Sequence, residues 1–105
     1  MPEPDLKPIL ALDRRIHEPA RLAILTVLSA AEEVEFLFLQ RVTGLSKGNL
    51  SSHTQKLEAA GLLETVKAFR GRIPVTSFRI TEEGRAALKT YHRQLRALLP
   101  EERKP

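Results

Sequence analysis

The apolar and polar positions in the middle of the chain alternate with helical spacing and predict two consecutive helices. The first helix ends near Thr43, and the second occupies residues 46–60. Gly44 in the turn between them supplies a backbone conformation that a residue with a Cβ adopts only at a cost. Ser46 is a favoured N-cap, and Gly61 fits the left-handed position that follows many helix ends. Two helices joined by a short turn that contains Gly predict a helix-turn-helix unit.

The second of these helices has one buried stripe and one polar face. Leu50, Thr54 and Leu57 are spaced as i, i+4 and i+7 and therefore share the buried side. The opposite side is small, polar and basic, and it comprises Gly48, Asn49, Ser51, Ser52, Gln55 and Lys56. Such side chains can hydrogen-bond base edges and phosphates in a DNA major groove, which accommodates one α-helix. The alternative is an ordinary solvated helix face.

Downstream of these helices the apolar period changes from that of a helix to that of a strand. Residues 62–69 are rich in β-branched and apolar side chains, and residues 74–80 alternate between apolar and polar. This pattern predicts a two-stranded hairpin. Because an isolated hairpin is only marginally stable, its inner face is expected to rest on the helices.

The tip of this hairpin is basic and carries Lys67, Arg70 and Arg72. Basic residues at such a tip can simply protect strand edges from pairing with other chains. Directly after a helix-turn-helix, however, residues 67–74 are better interpreted as a wing. A wing would lie on the DNA backbone and reach an adjacent minor groove, where Arg is electrostatically favoured.

The helices on the N-terminal side of this unit are more apolar. Residues 18–30 have so few polar positions that a helix there must be buried on most sides. Residues 31–34 are expected to form a short link, after which Glu35 can cap the next helix. Leu37 and Phe38 in that helix are more apolar than a helix with a solvated side requires. They either meet the first helix or mark a subunit contact.

Both ends of the chain carry apolar stripes on predicted helices. At the N-terminal end, a first short helix with one apolar side is suggested by Leu6, Ile9, Leu10 and Ile16. The last helix begins at the N-cap Thr81 and ends before Pro100, and its apolar residues recur at alternating spacings of three and four, the pattern of paired helices. Packing onto its own domain is the alternative. We favour a homodimer, with an interface formed by Leu6, Ile9, Leu10, Leu88, Tyr91, Leu95 and Leu98. The predicted divisions are an N-terminal arm (1–17), a helix-turn-helix and hairpin core (18–81), and a dimerisation helix with a tail (82–105).

Length and charge narrow the class of protein. The 105 residues form one domain, no apolar run approaches the roughly 20 residues of a membrane span, and there is no Cys. A cytoplasmic protein is therefore expected. Residues 1–44 contain five Lys and Arg against seven Asp and Glu, whereas residues 45–105 contain twelve against six. The basic half is expected to face a polyanion and the acidic half to lie away from it.

The chain offers no arrangement of residues that would support catalysis or metal binding. It lacks a Ser/His/Asp grouping, paired acids, a glycine-rich phosphate loop and metal-ligand spacing. His17, His53 and His92 are far apart in sequence, which argues against a metal sensor. His53 flanks the polar helix face, where helix packing or a phosphate contact is favoured over a role as a general base. We therefore expect neither an enzyme nor a bound cofactor.

Several stretches of the sequence resemble one family of regulators. These stretches are Pro-Ala-Arg-Leu-Ala-Ile-Leu-Thr-Val-Leu (19–28), Gly-Leu-Ser-Lys-Gly-Asn-Leu-Ser-Ser-His (44–53), Gln-Lys-Leu-Glu-Ala-Ala-Gly (55–61), Phe-Arg-Gly-Arg-Ile-Pro (69–74) and Phe-Arg-Ile-Thr-Glu-Glu-Gly-Arg-Ala-Ala-Leu (78–88). With them the chain resembles the winged-helix regulators of the MarR/ArsR superfamily, and more narrowly the small stand-alone winged-helix proteins of bacteria and archaea. Two departures are Thr54, where these proteins usually have Leu, and Ile73, where a basic residue is common.

The resemblance implies a mainly α fold with a small β-hairpin, a dimer, and sequence-specific binding of double-stranded DNA that usually represses transcription. We expect Asn49, Ser51, Ser52 and Gln55 to contact base edges and Lys47, Lys56, Arg70 and Arg72 to contact phosphates. The full set of candidate DNA contacts is Ser46, Lys47, Asn49, Ser51, Ser52, His53, Gln55, Lys56, Lys67, Arg70 and Arg72. A winged helix used for protein contact is the alternative. Without a separate sensory domain, any small-molecule effector would bind at the dimer interface.

Overall fold

Five helices and three short strands make up the chain in the computed structural model, which describes residues 3–100. The helices are α1 (Lys7–Leu10), α2 (Pro19–Ser29), α3 (Phe36–Thr43), α4 (Lys47–Ala59) and α5 (Glu82–Leu98). The strands are β1 (Val34–Glu35), β2 (Leu63–Arg70) and β3 (Ile73–Ile80). The predicted mainly α fold with a small β-hairpin is confirmed. Residues 101–105 of the predicted C-terminal segment lie outside the described part of the chain.

Local signals in the sequence determine where the two central helices and the last helix begin and end. The Ser46 hydroxyl accepts a hydrogen bond from the amide of Asn49 at 3.1 Å and caps α4. Gly44 has a φ of 71° at the end of α3, which confirms the need for glycine in this turn. The Thr81 hydroxyl accepts from the amide of Gly84 at 2.9 Å and caps α5. The predicted caps at Ser46 and Thr81 are therefore confirmed. Glu35 stands at the N-cap position of α3, but its side chain makes no capping hydrogen bond, so the prediction that it caps this helix is wrong.

The sheet has the strand order β1-β3-β2, with every neighbouring pair antiparallel. β2 and β3 form the predicted hairpin, and only two residues, Gly71 and Arg72, connect Arg70 to Ile73. The predicted wing, residues 67–74, is the outer part of this hairpin, and from here on the wing means the whole β2–β3 hairpin. The prediction that residues 31–34 form a link is wrong for Val34, which pairs with Phe78 as part of β1. A two-residue strand depends on a partner that is distant in sequence, so local periodicity does not reveal it.

The hydrophobic core lies where α2, α3, α4 and α5 meet the inner face of the sheet. All three predicted divisions of the chain contribute to it, since Leu12 and Ile16 precede α2 and Leu88 and Tyr91 lie in α5. The remaining buried members are Ile24, Leu25, Leu28, Val34, Leu39, Leu50, Leu57, Leu62, Leu63 and Phe78. The terminal segments are therefore packed against the central unit.

This packing corrects the predicted dimer seam. Leu88 and Tyr91 are almost fully buried in the domain's own core, and the Tyr91 hydroxyl lies 2.7 Å from Nδ1 of His17. Both side chains are therefore unavailable to a partner subunit. Leu95 and Leu98, farther along α5, are only partly buried against the core.

The N-terminal apolar stripe is divided between surface and core. Only four residues form α1. Leu6, which precedes the helix, is exposed, and so are Ile9 and Leu10 within it. Ile16 is buried after the helix has ended. Amphipathic spacing over this segment therefore overestimated the helix, because turns bring Ile16 to the core.

The apolar residues on the outer side of α3 are solvent-exposed. Leu37 is 73% exposed and Phe38 is 44% exposed. The guanidinium carbon of Arg41 lies 5.3 Å from the centroid of the Phe38 ring, within cation–π range. Of the two interpretations offered for Leu37 and Phe38, burial against the first helix is therefore wrong. A subunit contact at this position stays a prediction.

Within residues 3–100, no helix combines the length and the apolar character needed to cross a bilayer. Nor does that part of the chain bring together three or more side chains of the His, Cys, Asp and Glu types in a group that could hold a metal ion.

Candidate nucleic-acid interface

The polar face of α4 points into solvent, and its apolar stripe points into the core. Leu50, Thr54 and Leu57 are buried. The Thr54 hydroxyl donates to the carbonyl oxygen of Leu50 at 2.9 Å, so the buried threonine satisfies its polar group within its own helix. The exposed residues on the other side are Lys47, Gly48, Asn49, Ser52, Gln55 and Lys56, and Ser51 is half-buried beside them. The helix therefore presents a small, basic, hydrogen-bonding surface.

A polar contact joins α4 to the start of α2. Glu18 caps α2 by accepting from the amide of Arg21 at 2.8 Å, and Nδ1 of His53 lies 3.7 Å from the same carboxylate oxygen. Burial acts to raise the pKa of Glu18. Hydrogen bonds from the amides of Arg21 and Ala20, with the nearby His53 and Arg21 side chains, outweigh burial and hold this pKa below its ordinary value.

Two roles were predicted for His53, helix packing and a phosphate contact, and its position fits the first of them. Its Nδ1 is buried and faces Glu18, so this part of the ring braces α4 against α2. The phosphate contact stays a prediction. Glu18 was not among the predicted site residues, although it holds the capping carboxylate at this junction. Its place directly before Pro19 is the signal that could have identified it, since Pro favours the first position of a helix.

A second contact relates α4 to the wing. Oε2 of Glu58, near the end of α4, accepts a hydrogen bond from the amide of Thr65 in β2 at 2.9 Å. Gly61, with a φ of 78°, reverses the chain between these two elements. The wing therefore starts at a defined angle from the C-terminal end of α4.

A groove with a volume of about 730 Å³ separates α4 from the wing. Lys47, Ser51 and Gln55 line it from the helix, and Lys67 and Arg70 line it from the wing. Five of the predicted DNA contacts, which are separated by up to 23 positions in the sequence, thus share one concave surface. The helix-turn-helix and the hairpin form a single face of the molecule.

The wing arginines have different environments. The Arg70 guanidinium forms an ion pair with Glu35 of β1, so its charge is already partly compensated. Within residues 3–100, in contrast, no carboxylate oxygen lies within 4 Å of the Arg72 guanidinium. The two arginines that were predicted to contact phosphates therefore differ in how far their charge is already compensated.

Glu35 also corrects the expected separation of charge. It comes from the acidic half of the chain, which was expected to lie away from a polyanion, yet it lines the groove together with Glu58. The pairing arises because β1 lies next to β3 and places Glu35 on the side of the sheet that Arg70 occupies. Sequence position alone does not predict which face of a sheet a carboxylate reaches.

Comparison with known proteins connects this surface to a family. A family model described as a winged helix DNA-binding domain matches residues 20–99. An uncharacterized protein of Methanocaldococcus jannaschii is 42% identical over 72 residues, which are 68% of this chain and 77% of that protein.

Solved structures show the same fold. A transcriptional regulator homologue from Pyrococcus horikoshii OT3 superposes with a TM-score of 0.81 at 34% identity, covering 89% of this chain and 91% of that one. The PcaV transcriptional regulator of Streptomyces coelicolor superposes with a TM-score of 0.72 at 18% identity, covering 93% and 80%. Regulators of the MarR, ArsR and PadR families share the architecture. The winged-helix family that the sequence motifs indicated is confirmed by the family model, and the likeness to MarR and ArsR regulators is confirmed as a likeness of fold.

Proposed function

Because this chain belongs to the winged helix DNA-binding domain family, we propose that it is a homodimeric transcriptional repressor specific for a DNA sequence. The family and its structural neighbours are regulators rather than enzymes. In this proposal α4 lies in the major groove, and the wing lies on the flanking backbone or in the adjacent minor groove. The dimer recognises two half-sites about one helical turn, ~10 bp, apart. It acts in the cytoplasm, where it represses by occluding a promoter.

The observation that carries this proposal is the shared groove of α4 and the wing. The exposed α4 residues have the chemistry of both kinds of DNA contact: amides and hydroxyls for base edges, and amines for phosphates. We assign base contacts to Asn49, Ser51, Ser52 and Gln55. We assign phosphate contacts to Ser46, Lys47, Lys56, Lys67 and Arg72. The Ser46 hydroxyl accepts from its own helix and keeps its proton for a phosphate oxygen.

The first test of the function is selection of bound fragments from random duplex DNA, followed by determination of the enriched motif. The expected result is a pseudo-palindrome with two equivalent half-sites.

The alternative function, a winged helix that contacts only proteins, is favoured by the exposed Leu37 and Phe38 on α3. Such a module would show essentially no binding to random duplex DNA at low salt, which would exclude our proposal.

The salt dependence of binding tests the phosphate contacts. Arg72→Ala and Lys56→Ala are each expected to reduce the slope of log affinity against log salt by about one unit, since each removes one phosphate contact. Arg70→Ala is the matched control. Its charge is already paired with Glu35, so the slope is expected to change less than in Arg72→Ala. Fluorescence anisotropy with a labelled duplex at several salt concentrations measures all three slopes.

Unchanged slopes in both Arg72→Ala and Lys56→Ala would contradict the assigned phosphate contacts. A slope change in Arg70→Ala equal to that in Arg72→Ala would show instead that DNA displaces Glu35 completely.

We place the dimer interface on the terminal helices. α1 contacts α5, so the exposed Leu6, Ile9 and Leu10 lie on the same side of the domain as α5, which contributes the partly buried Leu95 and Leu98. These exposed apolar residues on adjoining terminal helices support association through this side of the domain.

Leu10→Glu is expected to weaken the dimer by at least about tenfold, because burying an unpaired carboxylate costs several kcal/mol. Leu10 is 74% exposed in the single chain, so the monomer should fold normally. Leu37→Glu, at a position 73% exposed on α3, is the matched control and should leave the dimer intact. Sedimentation equilibrium measures the association of both variants. Dissociation by Leu37→Glu alone would place the interface on α3, and a monomeric parent protein would exclude a homodimer.

A further inference from the structure

The tip of the wing exposes two large apolar side chains. Phe69, in β2, is 75% exposed, and Ile73, at the start of β3, is 67% exposed. Single exposed apolar residues are common on protein surfaces. Two of them beside a two-residue turn are less easily explained, because β2 is an edge strand and proteins usually avoid exposed apolar residues on such strands. A tip of this kind is expected to be covered by a binding partner.

The surroundings of the tip favour a polyanion over a protein. Lys67 and Phe69 are two positions apart in β2, opposite Thr76 and Pro74 of β3. Because side chains alternate between the two faces of a strand, both lie on the same face of the wing. Arg72 is part of the turn itself, and Glu35 holds Arg70 to the side, against β1. The leading surface of the wing is thus an aromatic side chain flanked by cations.

The small surface area of the tip also favours DNA over a protein as its partner. A stable protein–protein interface buries about 800 Å² on each partner, which the end of a two-stranded hairpin with a two-residue turn is too narrow to supply. A DNA minor groove requires much less surface, and it combines phosphate-lined walls with an apolar interior of stacked bases. Proteins that bind there insert Phe or Ile between base steps and kink the duplex.

We propose that Phe69 is an apolar wedge that enters the minor groove beside the half-site read by α4 and partly unstacks one base step. Ile73 widens the wedge on the opposite face of the hairpin, and Arg72 neutralises the phosphate next to it. This inference rests on the proposed function, since it requires the wing to lie over DNA. Pyrimidine–purine steps are the easiest to unstack, so the site should favour TA or CA/TG at that step without any hydrogen bond to its bases.

The test uses a duplex that contains the selected motif, with 2-aminopurine at the flanking step and fluorescent labels at both ends. With the parent protein, we expect 2-aminopurine fluorescence to rise as the step unstacks and energy transfer to increase as the duplex bends. Phe69→Ala should abolish both changes and weaken binding about tenfold. Its salt slope should equal that of the parent, because no charge is removed. Phe69→Leu should retain part of both optical signals.

Phe38→Ala is the matched control. It removes the same aromatic side chain from another exposed position, on α3 and outside the residues that line the groove, and should bind and bend DNA like the parent. If the parent binds the duplex and Phe69→Ala gives the same fluorescence, bend and affinity, the wedge is overturned while the proposed function stands. If the parent binds no duplex DNA, the proposed function fails, and the wedge fails with it.

Discussion

Gly84→Ala is expected to lower the free energy of unfolding by about 2–3 kcal/mol, because the added methyl group meets backbone atoms that cannot move aside. A Cβ at this position would lie 2.0 Å from the carbonyl oxygen of Leu62 and 3.0 Å from Cγ1 of Ile80. Gly84 therefore lets the first turn of α5 cross the chain at the base of the wing. Thermal or denaturant unfolding, followed by circular dichroism at fixed protein concentration, measures the change.

Gly48→Ala is the matched control for this prediction. Gly48 lies in the first turn of α4, as Gly84 does in α5, and a Cβ there would meet nothing within 4 Å. Gly is less favourable than Ala by roughly 0.5–1 kcal/mol in a helix interior, so the control should stabilise the protein by at most this amount. The same substitution thus has opposite signs in two helices. If Gly84→Ala were as stable as the parent, the close packing of α5 against Leu62 would be contradicted.

Asn49→Ala and Gln55→Ala are expected to remove sequence discrimination at one base-pair position in each half-site. A good bidentate contact between an amide side chain and a base contributes about 1–3 kcal/mol of discrimination against the wrong base pair. Binding to the selected motif should therefore weaken, while binding to random duplex DNA stays nearly unchanged. Repeating the selection with each variant identifies the position whose preference is lost.

Two further variants serve as comparisons for Asn49→Ala and Gln55→Ala. Gln94→Ala removes the same kind of side chain from an exposed position on α5 and should leave the selected motif unaltered. Lys56→Ala should weaken binding to every sequence by a similar factor, since a phosphate contact carries no base information. If both α4 amide variants selected the parent motif with the parent's discrimination, the base contacts would have to be reassigned.

Much of the site could be predicted because its determinants are local. The cap at Ser46 and the left-handed turns at Gly44 and Gly61 depend on residues within about one helical turn. The buried stripe of α4 follows from helical spacing alone, and the outward polar face follows from that stripe. Motif resemblance then added the family, which the comparisons confirm.

The errors concern contacts between residues far apart in sequence. Leu88 and Tyr91 have the spacing of an intersubunit seam, but spacing does not say whether a stripe faces its own core or another subunit. The ion pair of Arg70 with Glu35 required β1, whose two residues form a strand only because β3 is available beside them. The partner of His53 was likewise not predictable, because Glu18 lies at the start of a different helix.

The order of the helices, their caps, the hairpin and the exposed chemistry of α4 were thus determined by the sequence itself, since each arises from neighbours within a few residues. Only the tertiary structure decided which apolar stripe became core, which wing arginine was paired, and that α4 and the wing share one groove. These features depend on how whole elements pack, and packing depends on contacts that no local pattern specifies. For the same reason the exposed Phe69 became a candidate for DNA contact only once its surroundings were known.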